Sequence, residues 1–181
     1  MIDWLFTKTP LYFLTQSFWN DEAFSFLMAK KNIFEIISYS AKDYSPPLYY
    51  LILHFWIKIF GSSEIALRLF SFIFFWGVVY LGFLFLNEIF KFSLKKSFFY
   101  TLLIVINPLL VYYAFEARSY TLFAFLSGVS FYALLKNKKR LYLVSAILGL
   151  YTHYFMIFVI LAQYLIKKSK ESLKAFIYFI P

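Results

Sequence analysis

Cysteine is absent from this 181-residue chain, which excludes a disulfide framework, thiol catalysis and thiolate metal sites. Carboxylates are scarce as well: nine Asp and Glu stand against 18 Lys and Arg. Charged residues make up 15% of the sequence, where a soluble domain carries about a quarter. No internal repeat and no low-complexity linker is visible. What fills the chain instead is apolar. Hydrophobic residues account for 62% and the mean hydropathy is +0.71. They come in long runs rather than alternating with polar residues, which favours membrane helices over a barrel. The expected fold class is all-α integral membrane, a multi-pass helical bundle.

The net charge of +9 is unevenly spread. Lys91, Lys95 and Lys96 form one cluster. Lys136, Lys138, Lys139 and Arg140 form a second, and Lys167, Lys168, Lys170 and Lys174 a third. Short basic loops between apolar runs mark the cytoplasmic side, because Lys and Arg resist translocation. Membrane lipids are thus expected partners. No nucleic-acid partner is expected, since no basic stripe runs over a folded soluble surface.

A span needs about 20 apolar residues. Residues 64–90 supply one, read as running inward. Residues 97–135 are too long for one span and polar in the middle, so two helices are expected, 97–113 outward and 120–135 inward. Residues 141–166 admit either one span or a hairpin of two short helices, 141–151 and 154–166. The positive-inside rule favours the hairpin, with His153 at its outer tip. A further run starts at 175. Residues 1–63 read as an extracytoplasmic first loop. Within it, residues 46–60 are too short to cross and suit an interfacial helix, with Ser45 as cap, Pro46 and Pro47 in the first turn and Gly61 at the end. His54 and Lys58 would form its polar edge. Neither end makes a complete span, so the chain reads as truncated at both ends. This layout puts Asp21-Glu22, Tyr44-Ser45, Glu116-Arg118 and His153 on one membrane face.

Three segments then carry a resemblance: Trp19-Asn20-Asp21-Glu22-Ala23-Phe24-Ser25; Ser45-Pro46-Pro47-Leu48-Tyr49-Tyr50 running on to Gly61-Ser62-Ser63-Glu64-Ile65-Ala66-Leu67-Arg68; and Glu116-Ala117-Arg118-Ser119-Tyr120, followed by Tyr151-Thr152-His153-Tyr154. In this order and spacing they resemble the N-terminal half of GT-C glycosyltransferases, the superfamily of polyprenyl-phosphate-mannose protein mannosyltransferases and lipid A aminoarabinose transferases. The resemblance implies a multi-pass enzyme of the bacterial inner membrane with an extracytoplasmic active site. It implies an inverting transfer of a sugar from a polyprenyl-phosphate carrier to a protein, lipid or glycan acceptor. The family's acidic pair corresponds to Asp21-Glu22, and its general base to Asp21.

The chemistry is coherent from below. A positioned carboxylate can take the proton of an attacking hydroxyl, and the leaving phosphate needs a cation. Arg118 suits that role, because a guanidinium grips phosphate oxygens with two parallel bonds. Glu22 joins Asp21 as a catalytic candidate, and Glu116, Tyr120, His153 and Ser45 join Arg118 as substrate-binding candidates. Each also has a plainer reading. Asp21 and Glu22 suit an acidic first turn after a capping Asn20. Arg118 could pair with Glu116, and Glu64 with Arg68 four residues on. The family commonly places His or Glu-Lys before the two prolines, where this chain has Tyr44-Ser45. A divalent cation is compatible with the chemistry, but no convincing ligand set stands out, and His153 alone does not define one. The rival readings are a transporter or lipid flippase, hinted at by Asn107-Pro108, and a non-catalytic assembly subunit.

Overall fold

The computed structural model describes residues 12–43, 45–168 and 170–177, with the side chains of 170, 173 and 176 left aside. Every regular element among the described residues is a helix. Residues 1–11, Tyr44, Ser169 and 178–181 lie outside the described set.

The stretch expected as an extracytoplasmic loop is itself helical. A single turn, α1 (Tyr12–Thr15), leads into α2 (Asn20–Lys30), α3 (Ile33–Lys42) and α4 (Leu48–Phe60). Asn20 does not cap α2: it is the first helical residue, and Trp19 stands at the cap. Asn32 caps α3 by accepting the Glu35 N–H at 2.9 Å, while Glu35 accepts the Asn32 N–H at 3.1 Å. That reciprocal pair satisfies two donors that a helix start leaves open.

Helix α4 corrects three expectations. Its cap position is Pro47, not Ser45, and the helix begins at Leu48 rather than 46. The Ser45 hydroxyl turns away and donates to an Asp43 carboxylate oxygen at 3.1 Å. The Leu48 N–H donates to the carbonyl of Tyr151 at 2.9 Å, so a distant turn closes the helix start. His54 is not on a polar edge but buried. Its Nδ1 lies 2.8 Å from the Ala29 carbonyl, an acceptor in the last turn of α2 that has no helical donor. The contact fixes the proton on Nδ1, and Ala29 is small enough to let the ring in. Gly61 ends α4 at φ +85°, a conformation that suits glycine.

The long element is α5 (Glu64–Leu84), extended by a π-helical turn over Phe85–Ile89. Together Glu64–Ile89 is, among the described residues, the one continuous helix long and apolar enough to cross a membrane. Helices α6 (Leu94–Val105) and α7 (Pro108–Ala114) replace the expected single helix 97–113 and meet at a 68° bend. The cause is local. Pro108 has no N–H to continue the ladder, and the Asn107 side chain accepts the Leu110 N–H at 3.0 Å to start a new helix. Helices α8 (Tyr120–Leu135), α9 (Lys139–Leu150), α10 (Met156–Lys167) and α11 (Lys170–Ile177) follow. A turn at 151–155 separates α9 from α10.

Helix α8 is the centre of the packing, against α5 on one side and α9 on the other. At Gly77 of α5 an added Cβ would come within 2.8 Å of two ring atoms of Phe125 on α8. The missing side chain is what lets these helices close.

The bundle has two chemically distinct ends. Glu88 accepts Lys136 at 2.7 Å and the Tyr132 hydroxyl at 2.8 Å. Lys167 bonds the Leu134 carbonyl and Asn137, and Lys139 pairs with Glu171 at 3.1 Å. The second and third basic clusters therefore meet at the C-terminal end of α8. Its other end, at Tyr120, holds the residues described next.

Candidate functional site

Glu22 organises the site. It is fully buried, as is its partner Arg68 (0% and 1% exposed). Arg68 Nε donates to Glu22 Oε1 at 2.9 Å and Nη2 to Oε2 at 2.6 Å, a two-pronged pair. Arg68 also reaches the carbonyls of Gln16 at 2.6 Å and Ser17 at 3.3 Å. The expected internal pair of Glu64 with Arg68 is thus replaced, because Arg68 faces α2. Glu22 takes two further bonds from backbone N–H groups, Ala117 at 2.8 Å and Trp19 at 3.1 Å. Burial pushes its carboxyl up, but the Arg68 guanidinium and the two backbone donors outweigh it and hold the group below its ordinary value. A carboxylate bound on both oxygens is a structural anion. It clamps the start of α2, the turn before α8 and the first turns of α5 onto one another.

That clamp sets the neighbours on either side. Asp21 precedes Glu22 and Arg118 follows Ala117, so they emerge together. Arg118 Nη1 lies 2.5 Å from Asp21 Oδ2. Arg118 pairs with Asp21 rather than with Glu116. Asp21 is 63% exposed and Arg118 31%, so this pair, unlike the clamp, is open to solvent. The guanidinium also stacks over the Tyr120 ring, 4.7 Å from its centre, a cation–π contact that fixes its plane.

Two clefts meet at Asp21. One, of about 340 Å³, is lined by Asp21, Arg118, Ser45, Asp43 and Tyr50. It continues past Ser45 and Arg118 into a smaller recess of about 150 Å³ bounded by Thr152, His153 and Tyr154. The other, of about 510 Å³, is lined by Asp21, Glu116, Trp19, Asn20 and Tyr112.

His153 lies at the turn between α9 and α10. Its Nδ1 accepts the Phe155 N–H at 3.2 Å, so the proton belongs on Nε2. Burial and the nearby Arg118 charge depress its pKa, which keeps the ring neutral. Glu116 is different again. It is half-buried, and its Oε2 has no hydrogen-bond partner. Burial pushes its carboxyl up, and the Glu22 and Asp21 charges add to this against the opposing pull of Arg118.

All seven candidate residues, Asp21, Glu22, Ser45, Glu116, Arg118, Tyr120 and His153, gather at this one end of the bundle. Tyr44 lies outside the described residues. Sequence reasoning missed Arg68 as a member of the site. Its signal was faint: an arginine inside an otherwise apolar helix needs a partner, and the nearest acid in sequence was the wrong one. Asp43 and Tyr112 were missed as well. Among the described residues no group of three or more His, Asp or Glu is placed to hold a metal ion. No family model matches the chain, and neither a curated protein nor a solved structure matches it.

Proposed function

We propose that this chain is the donor- and base-bearing part of a multi-pass membrane glycosyltransferase of the GT-C kind. It moves a sugar from a polyprenyl phosphate to a hydroxyl acceptor on the extracytoplasmic side. The observation that carries this reading is the contact of Asp21 with Arg118 on a cleft wall. An accessible carboxylate and an accessible guanidinium, held together by a buried clamp, are the two groups that such a transfer requires.

The proposed step is one displacement. The phosphate of the donor binds Arg118 and draws it off Asp21. The freed Asp21 carboxylate accepts the proton of the acceptor hydroxyl as its oxygen bonds to the anomeric carbon. The bond from that carbon to the phosphate oxygen breaks, and the phosphate leaves with the electron pair, its charge balanced by Arg118. Attack opposite to the leaving group inverts the anomeric centre. Neutral His153 offers Nε2–H to a phosphate oxygen from the adjoining recess. Glu22 positions Asp21 and does not touch substrate.

Two features support the orientation. The second and third basic clusters gather at the opposite end of α8, as the positive-inside rule requires of a cytoplasmic face. With 16 residues, α8 spans about 24 Å, short of a hydrocarbon core of about 30 Å. The clefts would then sit slightly below the outer surface, within reach of a lipid-linked phosphate.

The test is transfer from a labelled polyprenyl-phosphate sugar in membranes holding the full chain. Asp21→Asn should cut transfer by about 100-fold or more with expression unchanged. Full activity of that variant would overturn the assignment. One observation favours a transporter: the 68° break between α6 and α7. Flux of an intact lipid-linked sugar, with no transfer and no effect of Asp21→Asn, would favour that reading.

A further inference from the structure

The proposed step uses the Arg118 side of the contact pair and leaves the second cleft without a role. We propose that this cleft, between Glu116 and Trp19, is a pyranose site in which Glu116 selects the ring by hydrogen bonding to its hydroxyls. The inference rests on the transferase reading above and deepens it.

Three observations carry it. The cleft is about 510 Å³, within the size range of small-molecule sites of about 300–1,000 Å³. Its chemistry is split between aromatic surface and hydroxyl-binding groups. Trp19 and Tyr112 are exposed large aromatics, at 60% and 47%. Such rings offer apolar faces to the C–H side of a sugar. Asn20, Asp21 and Glu116 lie on the same walls and bring carboxyl and amide groups, which bind hydroxyls as acceptors or donors. Finally, Glu116 is not used up by the fold. Glu22 accepts four hydrogen bonds, from Arg68, Ala117 and Trp19, whereas Glu116 Oε2 accepts none. A buried carboxyl oxygen left without a bond is costly, and a ring hydroxyl that donates to it would remove that cost.

The cleft suits a neutral, hydroxyl-rich ring and not a phosphate. Every titratable group on its walls is a carboxyl or a tyrosine, so an anion would be repelled. The phosphate belongs to the Arg118 side, and Asp21, common to both clefts, lies where the two ligands meet. The ring could be the donor's own sugar or that of a glycan acceptor; both bring the same chemistry.

The experiment uses the full chain in lipid nanodiscs, with Trp4, Trp56 and Trp76 replaced by Phe so that Trp19 is the single indole. Methyl pyranosides and polyprenyl phosphate without sugar are titrated separately and followed by Trp19 emission and by isothermal calorimetry. Pyranoside binding should weaken about tenfold or more in Glu116→Ala and in Tyr112→Ala, but persist in Arg118→Ala. Polyprenyl phosphate should show the reverse dependence. Unchanged helical circular dichroism shows that each variant is folded. No pyranoside binding to the parent protein, or binding indifferent to Glu116 and Tyr112 both, would overturn the inference. If polyprenyl phosphate still bound through Arg118, the transferase reading would survive that loss. If neither ligand bound, both would fall. Displacement of the pyranoside by an intact polyprenyl-phosphate sugar would make the ring the donor's. Simultaneous binding would make it the acceptor's.

Discussion

Adjacent carboxylates at positions 21 and 22 have opposite fates. Glu22 is buried and bonded on both oxygens, while Asp21 is open and holds one arginine. Breaking a buried pair by removing one partner leaves an unpaired charge and costs about 3–5 kcal/mol. Arg68→Met and Glu22→Gln should each lower stability on that order in denaturant unfolding, and the double variant should cost less than the two singles added. A neutral effect of Arg68→Met would mean that the clamp contributes nothing. The acids also predict a pH response. Glu22 is held below its ordinary value of 4.5, so its contribution is present above that value and lost as pH falls through the lower folded one. Melting temperature should therefore drop in acid, and Glu22→Gln should flatten that limb. Glu116 works in the other direction. Its raised carboxyl favours the folded state below 4.5, and this is lost as pH rises through the higher folded value. Glu116→Gln should remove that loss and leave the neutral-pH melt equal or higher.

Helix boundaries were well marked where the cause was local. The span from Glu64, the start of α8 at Tyr120 and the separation of α9 from α10 all follow from apolar runs cut by polar or basic residues. The misplaced features had causes elsewhere in the chain. Ser45 looks like a cap, but the donor at that helix start is served by Tyr151, 103 positions after Leu48. His54 four residues before Lys58 suggests a polar edge, but the Ala29 carbonyl claims its ring. Arg68 four residues after Glu64 suggests an internal pair, but the four bonds on Glu22 depend on segments that only tertiary contact brings in. Pro108 falls inside the expected helix 97–113 and breaks it. The co-location of Asp21, Glu116, Arg118 and His153 was the exception: the order of apolar runs and basic loops was enough to place them at one end. Packing between elements supplies a sharp check. Gly77→Val would press a side chain into Phe125 on α8, and overpacking of this kind costs about 1–3 kcal/mol. The same substitution at Gly61, where nothing lies within 4 Å, would be strained by backbone conformation instead.

Taken as a body, the protein is polarised. The open Asp21–Arg118 pair and Glu116 occupy one end, and the lysines of the second and third clusters, with Glu88 and Glu171, the other. If the bundle spans the bilayer as proposed, the two ends face different compartments. The lack of native cysteine makes this directly testable. Asn20→Cys should react with an impermeant maleimide in intact cells, and Arg140→Cys only after permeabilisation. Labelling of both from the same side would sink the multi-pass orientation and with it the extracytoplasmic site.

The Glu22 clamp also has a consequence for biosynthesis. Its members lie 46 and 95 residues apart along the chain. A nascent polypeptide therefore carries its acidic pair unclamped until α5 has emerged, and the last bond waits for Ala117. The ribosome must release the chain through residue 118 before Asp21 and Arg118 can be brought face to face, so a translation product halted earlier would lack the pair however well its individual helices had formed.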